Sequence, residues 1–263
     1  MSGFSATPYK LLLFLFVFLT ACGGGREFPK ITWYIQLEGK LDTTKNVKLY
    51  DVDLFNTSDQ VIKELKAKGK TVICYFSAGT WEDWRPDAQE FPKEAIGKPY
   101  KSWDGEYFLD VRNEKVREIM VKRLKLAKQK GCDGVDPDNL DTYQYDTGFN
   151  LTKEDLKDYA IFLSKEAKKL GLKIGLKNNG ILVKELLNYF DFSVVEECHK
   201  YKDCFYYYPF INSGKPVFNI EYEPMSEGEF LELCRQAKEE GFMTAVYNKA
   251  LDGRVFKPCW EVW

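Results

Sequence analysis

The chain has 263 residues, with 38 basic and 40 acidic side chains and a formal net charge of -2. That balance leaves no electrostatic footprint for nucleic acid, and the single histidine, His199, weighs against any mechanism built on a histidine base, a Ser-His-Asp triad included. Aromatic residues make up 16%, including 6 Trp and 16 Tyr, which is more ring surface than one core requires; exposed rings suit stacking on flat apolar ligand faces such as those of sugars.

After Lys10, the run from Leu11 to Leu19 has about the length of a signal-peptide apolar region and is short for a bilayer span. Leu19-Thr20-Ala21-Cys22, followed by three glycines, resembles the lipobox of bacterial lipoproteins. The resemblance implies cleavage before Cys22, lipidation of that cysteine and an extracytoplasmic chain in the bacterial cell envelope, anchored to the membrane through its lipid or else secreted. An ordinary cleaved signal and an uncleaved anchor are the alternatives. Residues 1–21 are thus expected to be a signal peptide, 22–30 a flexible tether, and 31–263 one folded domain.

Six of the seven cysteines remain once Cys22 is set aside, an even number suited to an oxidising compartment. Cys198 and Cys204 are close enough to close a small loop as a disulfide. Cys74 and Cys132 lie in apolar strand contexts and read as buried free thiols. No cysteine and histidine spacing resembles a metal site, and no metal or organic cofactor is expected.

From residue 31 onward, short β-branched or aromatic runs alternate with longer helical ones, as in an α/β fold with parallel strands. The expected strands are 32–37, 48–54, 71–77, 133–137, 173–178, 192–197, 216–222 and 243–248. Helical periodicity fills 58–70, 113–131, 151–171 and 226–241, with caps at Ser58, Thr152 and Ser226 and stops at Gly69, Gly131, Gly171 and Gly241. Eight strands with intervening helices in this length predict one (β/α)8 TIM barrel. The stretch from Leu37 to Lys48 is too short for a crossover helix. The excursion from Ala78 to Tyr107, rich in Trp, Pro and Gly, is expected to fold over the barrel mouth.

Polar residues recur at the carboxyl ends of these strands: Asp51 and Asp53, Tyr75 and Ser77, Asp136 and Asp138, Lys177 and Asn178, Glu196 and Glu197, Glu221 and Tyr222, Tyr247 and Asn248. A barrel active site needs such a rim, because each strand contributes one or two side chains to it. The densest part is Gly131 to Asp141, GCDGVDPDNLD, which crowds four aspartates at a strand end. Alternation puts Asp136 and Asp138 on one face and Val135 on the other, and Pro137, which cannot donate to a ladder, should end the strand. An acidic turn is the competing reading. Two carboxylates on different strands, without a histidine base, metal spacing or phosphate loop, point to glycosidic bond hydrolysis, which needs one carboxylate to attack or activate water and one carboxylic acid to assist the leaving oxygen. Alternation alone does not choose between Glu196 and Glu197.

The phrases DVDLFNT (51–57), VICYFSAGTWEDWRPD (72–87), FLDVR (108–112), GVDPDNLDTY (134–143), TGFNLT (147–152), GLKNN (175–179), EECHKYKDC (196–204) and NIEY (219–222) together resemble the barrel domain of glycoside hydrolase family 114, the endo-α-1,4-polygalactosaminidases. The resemblance implies a TIM barrel acting on α-1,4-linked galactosamine or N-acetylgalactosamine polymers, with Asp138 as nucleophile and Glu196 as acid/base. Two positions depart from the family pattern: Asp136-Pro137-Asp138-Asn139 stands where Glu-Pro-Asp-Asn is common, and Glu196-Glu197-Cys198 where Glu-Gln-Cys is usual. The additional carboxylate of Glu197 would raise the acid's proton affinity or bind a cationic amino sugar.

Substrate-binding roles then fall to Asp53, Tyr75, Asp136, Lys177, Asn178, Glu197, Glu221 and Tyr222, with Trp81, Trp84 or Trp103 of the long loop stacking on sugar faces. Arg112 and Lys177 could instead be structural, paired with Asp110 and Asp136. The competing function is a lipid-anchored carbohydrate-binding barrel without catalysis.

Overall fold

The computed structural model describes residues 30–263. The expected signal peptide, Cys22 and all of the tether but its last residue lie outside the described residues. Among those described, no helix is long and apolar enough to cross a membrane.

In chain order the elements are β1 (Trp33–Gln36), β2 (Leu49–Asp53), α1 (Asp59–Ala67), β3 (Thr71–Ser77), β4 (Thr80–Glu82), β5 (Ile96–Pro99), β6 (Glu106–Leu109), α2 (Glu114–Lys130), β7 (Gly134–Asp138), α3 (Lys153–Lys169), β8 (Lys173–Lys177), α4 (Val183–Leu186), β9 (Phe192–Glu196), α5 (Cys198–Tyr201), α6 (Tyr208–Asn212), β10 (Val217–Tyr222), α7 (Glu227–Glu240), β11 (Met243–Tyr247) and β12 (Phe256–Pro258). Strands β1, β2, β3, β7, β8, β9, β10 and β11 pair in parallel in that order and are the eight expected from the sequence. They form a nearly closed (β/α)8 barrel. Among the described residues no ladder pair joins β1 to β11; β12 lies antiparallel along β11 instead.

Aromatic side chains close that seam. The Trp33 indole donates to the Met243 carbonyl at 2.7 Å, the Leu37 amide donates to the Leu251 carbonyl at 2.9 Å, and the Tyr34 ring meets Phe256 edge-on at 4.9 Å. Trp33, Tyr34 and Tyr247 are fully buried there, so part of the high aromatic content is spent on closure rather than on ligand.

The long helices form for local reasons legible in the sequence. Thr152 and Ser226 each accept from the amide three residues on, while Asp155 and Glu229 reach back to the cap, completing two capping boxes. Asn113 caps α2, which ends on left-handed Gly131, and its stripe of Val116, Ile119, Met120, Leu124 and Ala127 is buried against the barrel.

The same stripe contains a charge. Arg123, 1% exposed, donates from Nε and Nη2 to Asp87 at 2.8 Å each and from Nη1 to the Ser77 carbonyl at 2.7 Å. Its neighbour Arg85 pairs with Glu82 at 2.8 Å and Asp53 at 2.7 Å, and both guanidinium groups stack on Phe55 at 5.1 Å. Removing one partner from a buried pair costs about 3–5 kcal/mol, comparable to deleting a large apolar side chain, so these two arginines anchor the excursion after β3.

That excursion is more ordered than its composition suggested, since β4, β6 and β5 form an antiparallel sheet of their own. Strands of three and four residues interrupted by Pro and Gly are too short to show a period. At its root Gly79 has no room for a side chain: a Cβ would lie 1.8 Å from the Asn139 carbonyl oxygen. The excursion therefore leaves the barrel directly against the end of β7.

Two expectations are corrected. The fourth barrel strand, β7, does not end at Pro137 but runs one residue further, with Phe76 opposite Pro137 and Ser77 opposite Asp138. Cys74 and Cys132, expected as free thiols, are joined, because β3 and β7 are barrel neighbours and Cys132 lies two residues before β7. Closing a loop across a sequence separation of 58 restricts the unfolded chain by about 4 kcal/mol on the entropic account. The expected Cys198–Cys204 bridge is present, and Cys234–Cys259 ties α7 to the C-terminal segment.

His199, on α5, is held between carboxylates: Nδ1 lies 3.3 Å from Glu221 Oε1 and Nε2 2.9 Å from Glu240 Oε2. Burial lowers its proton affinity, but Glu221 and Glu240 outweigh burial and carry the imidazole from 6.5 up to about 9. A raised folded-state value contributes stability that is complete below the unfolded value and disappears as pH rises through the folded one, here about 3 kcal/mol between roughly pH 6.5 and 9. Thermal melts should therefore show the wild type losing stability across that window, with the loss absent from His199→Gln; an identical slope in both proteins would contradict the assignment.

Candidate active site

Parallel pairing aligns the carboxyl ends of β3, β7, β8, β9 and β10, which carry Tyr75, Asp138, Lys177, Glu196 and Tyr222. Lys177, 2% exposed, is central to them. Its Nζ lies 3.5 Å from Asp136 Oδ2, 3.5 Å from Asp138 Oδ2 and 3.9 Å from Glu196 Oε2, and 5.2 Å over the Tyr75 ring. Burial opposes its charge, but Asp136, Asp138 and Glu196 more than compensate and raise its proton affinity well above the ordinary value. The site thus contains a permanent ammonium bridging carboxylates from two strands.

Each of the two outer carboxylates is fixed by further donors. Tyr75 Oη donates to Asp138 Oδ2 at 3.0 Å, and the Asn139 amide donates to Asp138 Oδ1 at 2.7 Å. Tyr222 Oη donates to Glu196 Oε1, and Asn178 Nδ2 donates to Glu196 Oε2 at 3.0 Å. The Asn178 carbonyl accepts the Glu196 amide at 2.9 Å, so one side chain orients the glutamate at both its ends. Although burial alone would raise Glu196, Lys177, Tyr222 and Asn178 hold it below the usual carboxylate range. The expectation that Glu197 would raise its neighbour's proton affinity is overturned. Glu197 adopts a left-handed backbone (φ 56°), and its carboxylate pairs with Lys200.

Left-handed residues follow three consecutive barrel strands: Asn139 after β7, Asn178 and Asn179 after β8, and Glu197 after β9. Asn tolerates this conformation through its short polar side chain, whereas Glu does so at a cost on the order of 1–3 kcal/mol. The chain turns sharply there, leaving Asp138, Lys177 and Glu196 as the last extended side chains at the mouth.

Above them lies a cleft of about 510 Å³, a size suited to a small ligand or a stretch of polymer. Nine carboxylates line it (Glu38, Asp53, Glu82, Glu106, Asp138, Asp141, Glu196, Glu197 and Asp203) against three cations (Arg85, Lys177 and Lys249). Burial raises Glu106 and Asp141 to about 7 each, with Asp138 adding in both cases and the Thr80 hydroxyl opposing in Glu106. The strongly negative lining contrasts with the near-neutral chain.

Of the residues given a catalytic or substrate role from the sequence, Asp53, Tyr75, Asp138, Lys177, Asn178, Glu196, Glu197, Tyr222, Trp84 and Trp103 line the cleft. Three do not. Asp136 is wholly buried beneath Lys177, where burial raises it to about 6 against the pull of Lys177. Glu221, one residue before Tyr222 and hence on the other face of β10, accepts the His199 amide at 3.0 Å and an Asn219 amide at 3.2 Å. Trp81 turns its indole to the Ala88 carbonyl at 2.9 Å and packs edge-on to Tyr107. Arg112 pairs with Asp110, as its structural reading had it.

Sequence reasoning did not single out Tyr100, Glu106, Tyr145, Tyr201, Tyr206 or Lys249, all of which line the cleft. They come from the excursion and from the β7–α3, β9–β10 and post-β11 connections, where no strand-end rule applies. The run Phe205-Tyr206-Tyr207-Tyr208 was the available signal, four rings in an otherwise polar loop. Among the described residues, one compact cysteine and histidine group could suggest a metal, namely Cys198, His199 and Cys204, but its two sulfurs are bonded to each other.

Comparison with known proteins agrees with this geometry. The protein shares 35% identity with Aspergillus fumigatus Ega3, whose crystal structure in complex with galactosamine superposes with a TM-score of 0.84 over 90% of this chain and 98% of that one. The glycoside hydrolase domain of PelA from Pseudomonas aeruginosa has the same fold, with a TM-score of 0.68 and 17% identity over 85% of this chain and 96% of that one. The uncharacterized protein MJ1477 of Methanocaldococcus jannaschii is 29% identical over 92 residues, which are 34% of this chain and only 27% of that protein. The family profile described as glycoside-hydrolase family GH114 matches residues 21–260, and this chain, a glycosidase, belongs to that family.

Proposed function

We propose that the protein hydrolyses α-1,4-linked galactosamine polymers, acetylated or not, with Asp138 as nucleophile and Glu196 as general acid and base. The observation that carries this reading is that the two carboxylates, on β7 and β9, face one cleft and share the Lys177 ammonium. Membership of the family and the galactosamine bound to Ega3 support the substrate class. So does the lining of nine carboxylates against three cations, since an unacetylated amino sugar is cationic at neutral pH. Rings from the excursion and from the β9–β10 connection supply stacking faces for pyranose units.

The shared ammonium limits the gap between the facing Asp138 and Glu196 oxygens to no more than its 3.5 and 3.9 Å reaches laid end to end. That removes the wider part of the ~6.5–9.5 Å separation used by inverting enzymes and favours retention. Asp138 attacks the anomeric carbon as Glu196 gives its proton to the leaving oxygen, and water then releases the sugar from Asp138 with Glu196 as base. Tyr75 and Lys177 hold the nucleophile in line; Tyr222 and Asn178 hold the acid.

Digestion of galactosamine polymer, followed by mass spectrometry and by NMR of the fresh reducing ends, tests this directly. Wild type should release fragments whose first-formed ends are α. Glu196→Gln should lower the rate by about 10²–10⁴-fold, and Asp138→Asn by at least as much. Unchanged activity in either variant removes that residue from its role, first-formed β ends replace retention by inversion, and glycan binding without any product leaves a binding barrel.

We further infer that the chain is lipid-anchored at Cys22 in the bacterial cell envelope, outside the cytoplasm. Three disulfides among the described residues support an oxidising location, and Leu19-Thr20-Ala21-Cys22 supports the anchor. A fatty-acid label should enter the wild type and be lost from Cys22→Ala; equal labelling of the two would refute the anchor.

A further inference from the structure

Beneath Lys177, Asp51 of β2 and Asp136 of β7 meet inside the barrel, at 1% and 0% exposure. The two strands flank β3, Asp51 opposite Ile73 and Asp136 opposite Tyr75, so their side chains enter the same interior; each has a buried Oδ1 that accepts from no N–H or O–H donor, and Asp136 acts on Asp51 through its charge and a side-chain hydrogen bond. Two carboxylates in contact in a dry core cannot both be ionised. Lys177 approaches Asp136 at 3.5 Å, whereas among the described residues no cation lies within ion-pair distance of Asp51. Other groups do not change this balance. Asp138 adds negative charge from β7, Tyr75 of β3 and Tyr247 of β11 are neutral phenols raised by burial, and Asp53, two residues along β2, is neutralised by Arg85. Ile35 of β1 and Ile73 of β3, in register with Asp51, bring no charge.

We infer that Asp51 is a carboxylic acid that donates its proton to Asp136, so that the pair carries one negative charge, and that it is a positioning residue for Lys177. Burial, then Asp136, raise Asp51 well above the usual carboxylate range, with Lys177 opposing. The consequence is geometric. With one charge below it, the ammonium is shared between Asp136 and the two carboxylates of the cleft. A doubly charged pair would draw it down and away from Asp138 and Glu196, and an Asp136 without a donor would compete for it more strongly.

Infrared spectroscopy of the intact protein reads the proton itself. At about pH 8.5, Asp136, Glu106 and Asp141, which titrate near 6, 7 and 7, have lost their protons. A carboxylic-acid carbonyl band should persist in the wild type there and vanish in Asp51→Asn; its absence from wild type, or its survival in the variant, overturns the inference. The kinetic arm rests on the hydrolase reading, whereas the infrared arm does not, so the two can fail separately. Asp51→Leu, which removes the donor, should lower kcat roughly tenfold or more with KM little changed, and Asp51→Asn, which restores an N–H donor, should recover most of that loss. Equal impairment of the two variants would contradict the positioning role, and if the leucine variant does not fold, the infrared comparison decides.

Discussion

A single buried ammonium organises this molecule. Taking an ammonium or a carboxylate out of water costs several kcal/mol each even after relaxation, and the barrel core holds Lys177 with carboxylates from β7 and β9 gathered round it. None of these groups is tolerable alone in that position. Together they are, because the lysine neutralises what would otherwise be mutually repelling anions, and tyrosine and asparagine donors satisfy the oxygens that the lysine leaves. The arrangement that stabilises the site also sets its chemistry: it fixes two carboxylates at the mouth of the barrel a short distance apart and depresses the proton affinity of one of them.

The rest of the fold serves to keep that cluster dry and in register. Parallel pairing places the strand ends side by side, and the left-handed residues after β7, β8 and β9 turn the chain away at once. The excursion after β3 covers one side of the mouth and is fastened by Arg85 and Arg123, while the Cys198–Cys204 bridge closes the loop that follows Glu196. A second, separate charge cluster around His199 ties α5 to β10 and α7. Glu221 belongs to that structural cluster, and Tyr222 beside it belongs to the site.

How much of this could be read from the amino acids follows from what each pattern encodes. All eight barrel strands were legible because buried parallel strands are short β-branched or aromatic runs bounded by helix stops, and Asp138, Lys177 and Glu196 stood out as charges at their ends. Glu221 was misplaced because a strand-end rule cannot tell which of two adjacent residues faces in when both faces are buried. Trp81 was misplaced for a related reason: tryptophans in an irregular loop are equally plausible as ligand platforms or as the loop's own core, and Trp81 is the latter. The Cys74–Cys132 bridge was hidden because each cysteine was judged in its own apolar segment, whereas pairing depends on which strands become neighbours. Glu106, an acid from the excursion, carries no local pattern at all.

The central claim is that the Lys177 charge sets the protonation of Glu196. It is tested most directly by the pH dependence of kcat/KM in wild type and in Lys177→Met, each checked for folding by its thermal melt. On the proposed mechanism the acid, Glu196, must carry its proton, so holding it below the ordinary range should confine wild-type activity to acidic pH, with a limb that falls as pH rises. Removing the ammonium should leave a slower enzyme whose falling limb moves to higher pH. A folded Lys177→Met enzyme with that limb unmoved would contradict the account.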